Sequence, residues 1–307
     1  MSRVFLYHIL KDGMDRSEST SETLHRRVLT MAHARGLIFQ HVPTPILKLT
    51  RRSIPDLQSI MSTETNPTKR NQLQFAIAVK NVLAHRICSP PVNDAYEDVM
   101  LRPPHDVQPY RTDSMLVIAY TMNDLGTGVH ILGISSFGTC DGRNEENYEF
   151  QFVGNGAAEV NRDVANRRVA ELDLLCTKQG HRQRGAGGLL LAYCLSFLHA
   201  QRATKKVNSP AKYAGVVMTL AEFPMEDAHD AELGRGRQPL RNTALRYGFQ
   251  PKQVRVKVSH TSASTRTYWL LHGKNWHEKV LQALPKGNAD FATIFPSVPT
   301  PGRALGQ

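Results

Sequence analysis

The sequence predicts an α/β protein, a mixed sheet with helices packed on it and a helical extension at the N-terminal side. That class follows from three features. Apolar residues at helical spacing dominate the first third. Short β-rich runs between turn residues dominate from about residue 114 onward. One of those runs passes through a glycine-rich turn into a long apolar helix, then into another strand, so antiparallel strands flank a strand–helix–strand unit.

In chain order, residues 21–34 (SETLHRRVLTMAHA) place Leu24, Val28 and Met31 at spacings of four and three, with Ser21 as N-cap and Gly36 as stop. Residues 70–87 place Phe75, Val79, Val82 and Leu83 on one helical face. A loop with Pro90, Pro91, Pro103, Pro104 and Pro109 follows. MLVIAYTM (115–122) and VHILGISSF (129–137) read as adjacent strands, YEFQFV (148–153) as a weaker third and VAELDLLCT (169–177) as a fourth. HRQRGAGG then opens an apolar helix over 187–201, and YAGVVMTLA (213–221) is a fifth strand. RNTALRYGF (241–249) is helical and ends in Gly248-Phe249. QVRVKVS (253–259) and RTYWLLH (266–272) form a closing antiparallel pair, and 275–284 a last short helix. The expected organisation is a helical extension over 1–110, an α/β domain over 111–274, and a helix with a loose tail over 275–307.

Composition narrows the function classes. The formal charge of +11 favours anionic partners such as nucleic acid or a nucleotide cofactor. The excess is local: residues 204–307 hold 15 basic against 7 acidic residues, and 111–203 hold 9 against 10. Cys88, Cys140, Cys176 and Cys194 lie far apart with no C-x-x-C, which suggests neither a disulfide framework nor a zinc site. No H-E-x-x-H occurs, and no metal is expected. The apolar run at the N-terminus is short for a secretory signal, and Gly187–Leu198 is short for a membrane span. A cytoplasmic, reducing location is the expectation.

The stretch ELDLLCTKQGHRQRGAGGLLLAYCLSFL (171–198) carries most of the chemistry. A helix opened by glycines leaves its first N–H groups unpaired, at the positive end of the helix dipole. Gly185, Gly187 and Gly188 let a ligand approach that backbone, and Arg182 and Arg184 add charge. Such an end suits a phosphate. A second strand–glycine run, YEFQFVGNGAAE (148–159), half-matches the dinucleotide fingerprint, but Glu159 stands where a third Gly or Ala belongs. Period two puts Glu171, Asp173, Leu175 and Thr177 on one face of their strand. Two carboxylates buried together would leave at least one with a raised pKa, suited to general-base work.

The run Arg182-Gln183-Arg184-Gly185-Ala186-Gly187 resembles the R/Q-x-x-G-x-G/A signature of the GNAT superfamily of acyl-CoA-dependent N-acyltransferases. The resemblance covers roughly 115–272. It implies that Arg182 to Gly188, Ala186 included, hold the CoA pyrophosphate, and that Leu175, Cys176 and Thr177 take the positions of a strand bulge whose backbone bonds the pantetheine amides. In the histone-acetyltransferase branch a catalytic Glu lies eleven residues before the signature, in an A-E-I context. Ala170-Glu171-Leu172 stands eleven before Arg182, so Glu171 is the leading base and Asp173 the reserve. Many members carry a Tyr four residues before the G-F glycine. That place is Ala244 here, which leaves Tyr247 as the candidate acid for the thiolate. Asn242 is a further candidate CoA contact.

The expected activity is transfer of an acetyl group from acetyl-CoA, as co-substrate, to a primary amine on a protein or small molecule by direct attack in a ternary complex. Two alternatives stay open. One is a non-catalytic acyl-CoA-binding module. The other is a nucleic-acid-binding protein using the basic C-terminal third. Glu171 paired with Arg167 or Arg168, and Cys176 as a buried structural thiol, are the bland readings of those residues.

Overall fold

The computed structural model describes residues 20–42, 46, 49–50, 52–83, 115–122, 129–143, 148–177, 185–204, 210–219, 241–257 and 262–284. Its described strands form one eight-stranded mixed sheet. The helices are α1 (Thr20–His33), α2 (Ile54–Thr63), α3 (Pro67–Leu83), α4 (Ala157–Ala165), α5 (Ala186–Ala200), the short α6 (241–246) and α7 (Trp276–Ala283). The strands are β1 (Leu37–Val42), β2 (Met115–Met122), β3 (Val129–Thr139), β4 (Phe150–Phe152), β5 (Val169–Thr177), β6 (Gly215–Met218), β7 (Gln250–Lys257) and β8 (Ala263–His272). Across the sheet they run β1-β2-β3-β5-β6-β8-β7-β4. Only the central β5–β6 pair is parallel.

Alternation along β2 shows how the sheet is covered. Val117 and Ala119 join a core with α1 (Leu24, Val28, Ala32) and α5 (Leu189 to Leu198). Leu116 and Ile118 face the other way, into a core with Leu57 of α2 and Leu73, Ala76 and Val79 of α3. Successive strand residues point to opposite faces, so a strand with apolar residues at every position must be buried on both.

The N-terminal region is therefore built into both faces. It also supplies a strand that its sequence did not suggest: β1 pairs antiparallel with β2, from Leu37 opposite Thr121 to Val42 opposite Leu116. Gln40 and His41 break the apolar run of LIFQHV, and only Leu37 and Val42 are buried. Helix α2 was also unmarked by periodicity. Its start is set by Ser53, whose hydroxyl accepts from Asp56 N–H at 3.1 Å, and by a proline in the first turn. A third core joins α4 (Val160, Val164) to β4, β7, β8 and to Val169 and Val217, on the same side as α2 and α3.

Candidate functional site

The centre of the sheet holds the features that the sequence singled out. β5 and β6 pair from Val169 opposite Gly215 to Leu172 opposite Met218. The Thr219 N–H adds one more bond, to Leu172 O at 3.2 Å. β5 runs on to Thr177, and past Leu172 no described strand pairs with it on that side. On its other edge β5 pairs with β3, and the register shifts: Phe137 opposes Leu172 while Ser136 opposes Leu174. Asp173 is the extra residue, so β5 bulges there.

That bulge corrects the face assignment. Alternation resets across Asp173, so Glu171 shares its face with Cys176, not with Leu175 and Thr177. Leu172 and Leu175 belong to the core under α5. Glu171 points to the opposite side, that of Val169. The bulge also sits two residues earlier than Leu175–Thr177, the positions assigned to it from the sequence. The side chain of Asp173 lies outside the described residues.

Glu171 is fully buried, and its Oε1 accepts from the Thr219 hydroxyl at 2.5 Å. It makes no pair with Arg168, whose guanidinium lies 3.6 Å from Asp163. Sequence reasoning missed Thr219, because a Thr at a strand end carries no signal until the strand opposite is known.

Helix α5 starts directly beyond. Gly185, at φ 82°, is its N-cap, no side chain caps it, and its first turn holds no acidic residue. A left-handed cap is what Gly supplies without strain. A Cβ on Gly187 would meet Thr177 Cγ2 at 3.1 Å, so the missing side chain lets α5 close onto the end of β5. The first N–H groups of such a helix, from Ala186 to Gly188, have no partner inside it. This backbone fits a phosphate. Leu175 is buried against α5, and Thr177 is half-buried. Arg182, Gln183 and Arg184 lie outside the described residues. Cys176 is disulfide-bonded, while Cys140 and Cys194 are in no disulfide. This corrects the sequence reading. Pairing is decided by Cβ proximity in the fold, which spacing does not reveal.

Tyr247 is not free to act as the thiolate acid. It is buried, its hydroxyl donates to Gly188 O at 3.0 Å, and desolvation pushes its pKa up. It ties α6 to the start of α5. Tyr247→Phe is expected to lower stability by about 1 kcal/mol and to leave turnover unchanged. Denaturant unfolding and a turnover assay check both parts. Asn242 lies exposed in α6.

Buried histidines were not anticipated. His41 of β1 stands 2.6 Å from the Tyr193 hydroxyl of α5, and Tyr193 stacks on Phe39 at 4.2 Å. His199 of α5 stacks on His277 of α7 with centroids 3.8 Å apart. Burial pushes His41 and His199 down to about 4, with smaller contributions from His25 at the first and from His277 and Arg202 at the second. The folded rings stay neutral where the unfolded chain takes up protons, below about 6.5. Their stabilisation is complete above that pH and is lost as pH falls toward 4. The Tm is expected to drop between pH 6.5 and 4.5, and less steeply in His199→Phe. Calorimetry across that range checks it, and equal slopes contradict it.

The second glycine-rich run behaves differently from α5. Gly154 and Gly156 are left-handed at the start of α4, beside a pocket of about 180 Å³ lined by Glu159, Lys252 and His272. Donor atoms of Glu159, Asp163 and His272 lie within 4.8 Å of one another. The His272 Nε2–Asp163 Oδ2 contact at 2.9 Å uses two of them. Among the described residues, no helix is long and apolar enough to cross a membrane.

No family model and no curated protein matches the chain. Among solved structures, it is similar to an acetyltransferase described as of the GNAT family from Desulfovibrio desulfuricans. The two are 13% identical with a TM-score of 0.30, over 77% of this chain and 98% of that one. It is also similar to a histone acetyltransferase and related acetyltransferase structure from Corynebacterium glutamicum. That pair is 13% identical with a TM-score of 0.28, over 81% and 99% of the two chains. Overlap this loose assigns no chemistry.

Proposed function

We propose that the protein is an N-acyltransferase that moves an acetyl group from acetyl-CoA to a primary amine by direct attack in a ternary complex. The observation that carries this reading is the fully buried Glu171 carboxyl two residues before the bulge at Asp173 of β5, with the glycine-opened helix α5 closing onto the end of the same strand. The strand backbone from Leu175 to Thr177 would run beside an extended amide-bearing arm of the acyl donor. The N–H groups of Ala186 to Gly188 would hold its pyrophosphate.

Acetyl-CoA supplies the activated acyl group when bound. Glu171 takes the proton that the amine nitrogen loses as its bond to the acyl carbon forms, and the carbon–sulfur bond breaks. The leaving sulfur takes its proton from solvent, since the Tyr247 hydroxyl is committed to Gly188 O. Strand backbone beyond the bulge supplies the donor for the polarised carbonyl oxygen.

Tyr247's commitment favours one other reading, an acyl-CoA-binding module without turnover. The test is incubation of purified protein with acetyl-CoA and a panel of polyamines, lysine peptides and free N-termini. Thiol release with a matching 42 Da gain on the acceptor, a figure on the order of one acetyl group, supports the enzyme. Tight CoA binding with no product on any amine supports the module.

A further inference from the structure

We infer that Thr219 is a positioning residue for Glu171, holding its carboxyl ready to accept a proton two residues before the bulge of β5. This rests on the proposed acyltransferase reading and deepens it. Thr219 is 7% exposed and makes two bonds to consecutive residues of β5. Its N–H donates to Leu172 O at 3.2 Å, and its hydroxyl donates to Glu171 Oε1 at 2.5 Å. Both land immediately before the extra residue at Asp173. One residue thus links a rung of the parallel ladder, beside the bulge, to the direction of the carboxyl.

The chemistry needs such a group. Burial favours the neutral form of a carboxylic acid, and a neutral acid takes no proton. A hydroxyl donated to the carboxylate favours the charged form, and 2.5–2.7 Å is the span of such charge-assisted bonds. Among the described residues, Lys80 of α3 donates to Thr50 O at 3.0 Å, and Asp163 of α4 pairs with His272 of β8. Cys140 is outside any disulfide and buried in the core of Val169 and Val217.

Thr219→Val keeps the shape and removes the donor. The acid limb of its kcat/KM profile is expected to move up by about one pH unit. Near neutral pH kcat is expected to fall about ten-fold, with the KM for acetyl-CoA unchanged and Thr219→Ser restoring both. A residue that only packs the strand would lower Tm without moving the limb. Because turnover and folding both enter that assay, a second readout is needed: carbon-13 NMR titration of the Glu171 carboxyl in wild type, Thr219→Ser and Thr219→Ala. An upward shift in the Ala variant alone supports the inference. A superimposable profile and titration in Val, Ala and wild type overturns it. If Glu171→Gln keeps full activity, the base assignment in the proposed function fails instead. A dead Glu171→Gln with an unmoved Thr219→Val profile sinks this inference alone.

Discussion

Glu171→Gln is expected to cut acetyl transfer by about 10²- to 10³-fold, within the range for removal of a general base. Acetyl-CoA affinity is expected to stay as it is. Gln fills the same volume and can still accept from the Thr219 hydroxyl, so the fully buried site keeps its packing. What it loses is the ability to take a proton from the amine. Binding titration with acetyl-CoA and initial rates of thiol release separate the two effects. A loss confined to rate is the signature of a base. A loss of binding would mean that Glu171 builds the site and does no proton transfer. Asp173, the reserve base, is the extra residue of the bulge. Asp173→Asn is expected to retain most of the rate.

Gly215→Ala is expected to destabilise the fold by about 2–3 kcal/mol, the cost typical of overpacking. At about 2–4 °C per kcal/mol for a chain of this size, Tm falls by roughly 5–10 °C. The cause is close contact with backbone. A Cβ there would stand 2.7 Å from Leu271 O and 2.9 Å from His272 Cδ2. Gly215 pairs Val169 on one side and His272 on the other, so the added methyl pushes β6 off β8. Neither contact is the free end of a flexible side chain, and the strand itself must shift. The same pairing registers Thr219 against Leu172, so surviving protein is also expected to turn over slowly. Calorimetry checks the first part. A Tm within 1 °C of wild type, roughly the resolution of a single methyl's effect, would contradict the close approach of β6 and β8.

The framework was legible where pattern and length agreed. The apolar runs 115–122 and 169–177 became β2 and β5, and the run after the glycines became α5, because buried strands and a buried helix leave continuous apolar stretches. β1 stayed hidden because Gln40 and His41 interrupt it, and because it lies over seventy residues from its partner β2. The bulge at Asp173 is a property of two strands in register, and no single-strand pattern contains it. It is why the period-two argument misplaced Leu175 and Thr177 relative to Glu171. Tyr247 was a candidate acid whose ring was also expected to pack in the core, and in the fold it is buried and ties the end of α6 to α5. Thr219, His41 and His199 were silent because their roles depend on partners between 48 and 152 residues away.

Amide hydrogen exchange with and without acetyl-CoA tests the central claim most directly, that the acyl donor sits between the end of β5 and the start of α5. The account predicts slowed exchange at Leu175–Thr177 and Ala186–Gly188, and no change at Gly154–Ala157, the other glycine-rich helix start. Slowed exchange at Gly154–Ala157 with none at Ala186–Gly188 would contradict it.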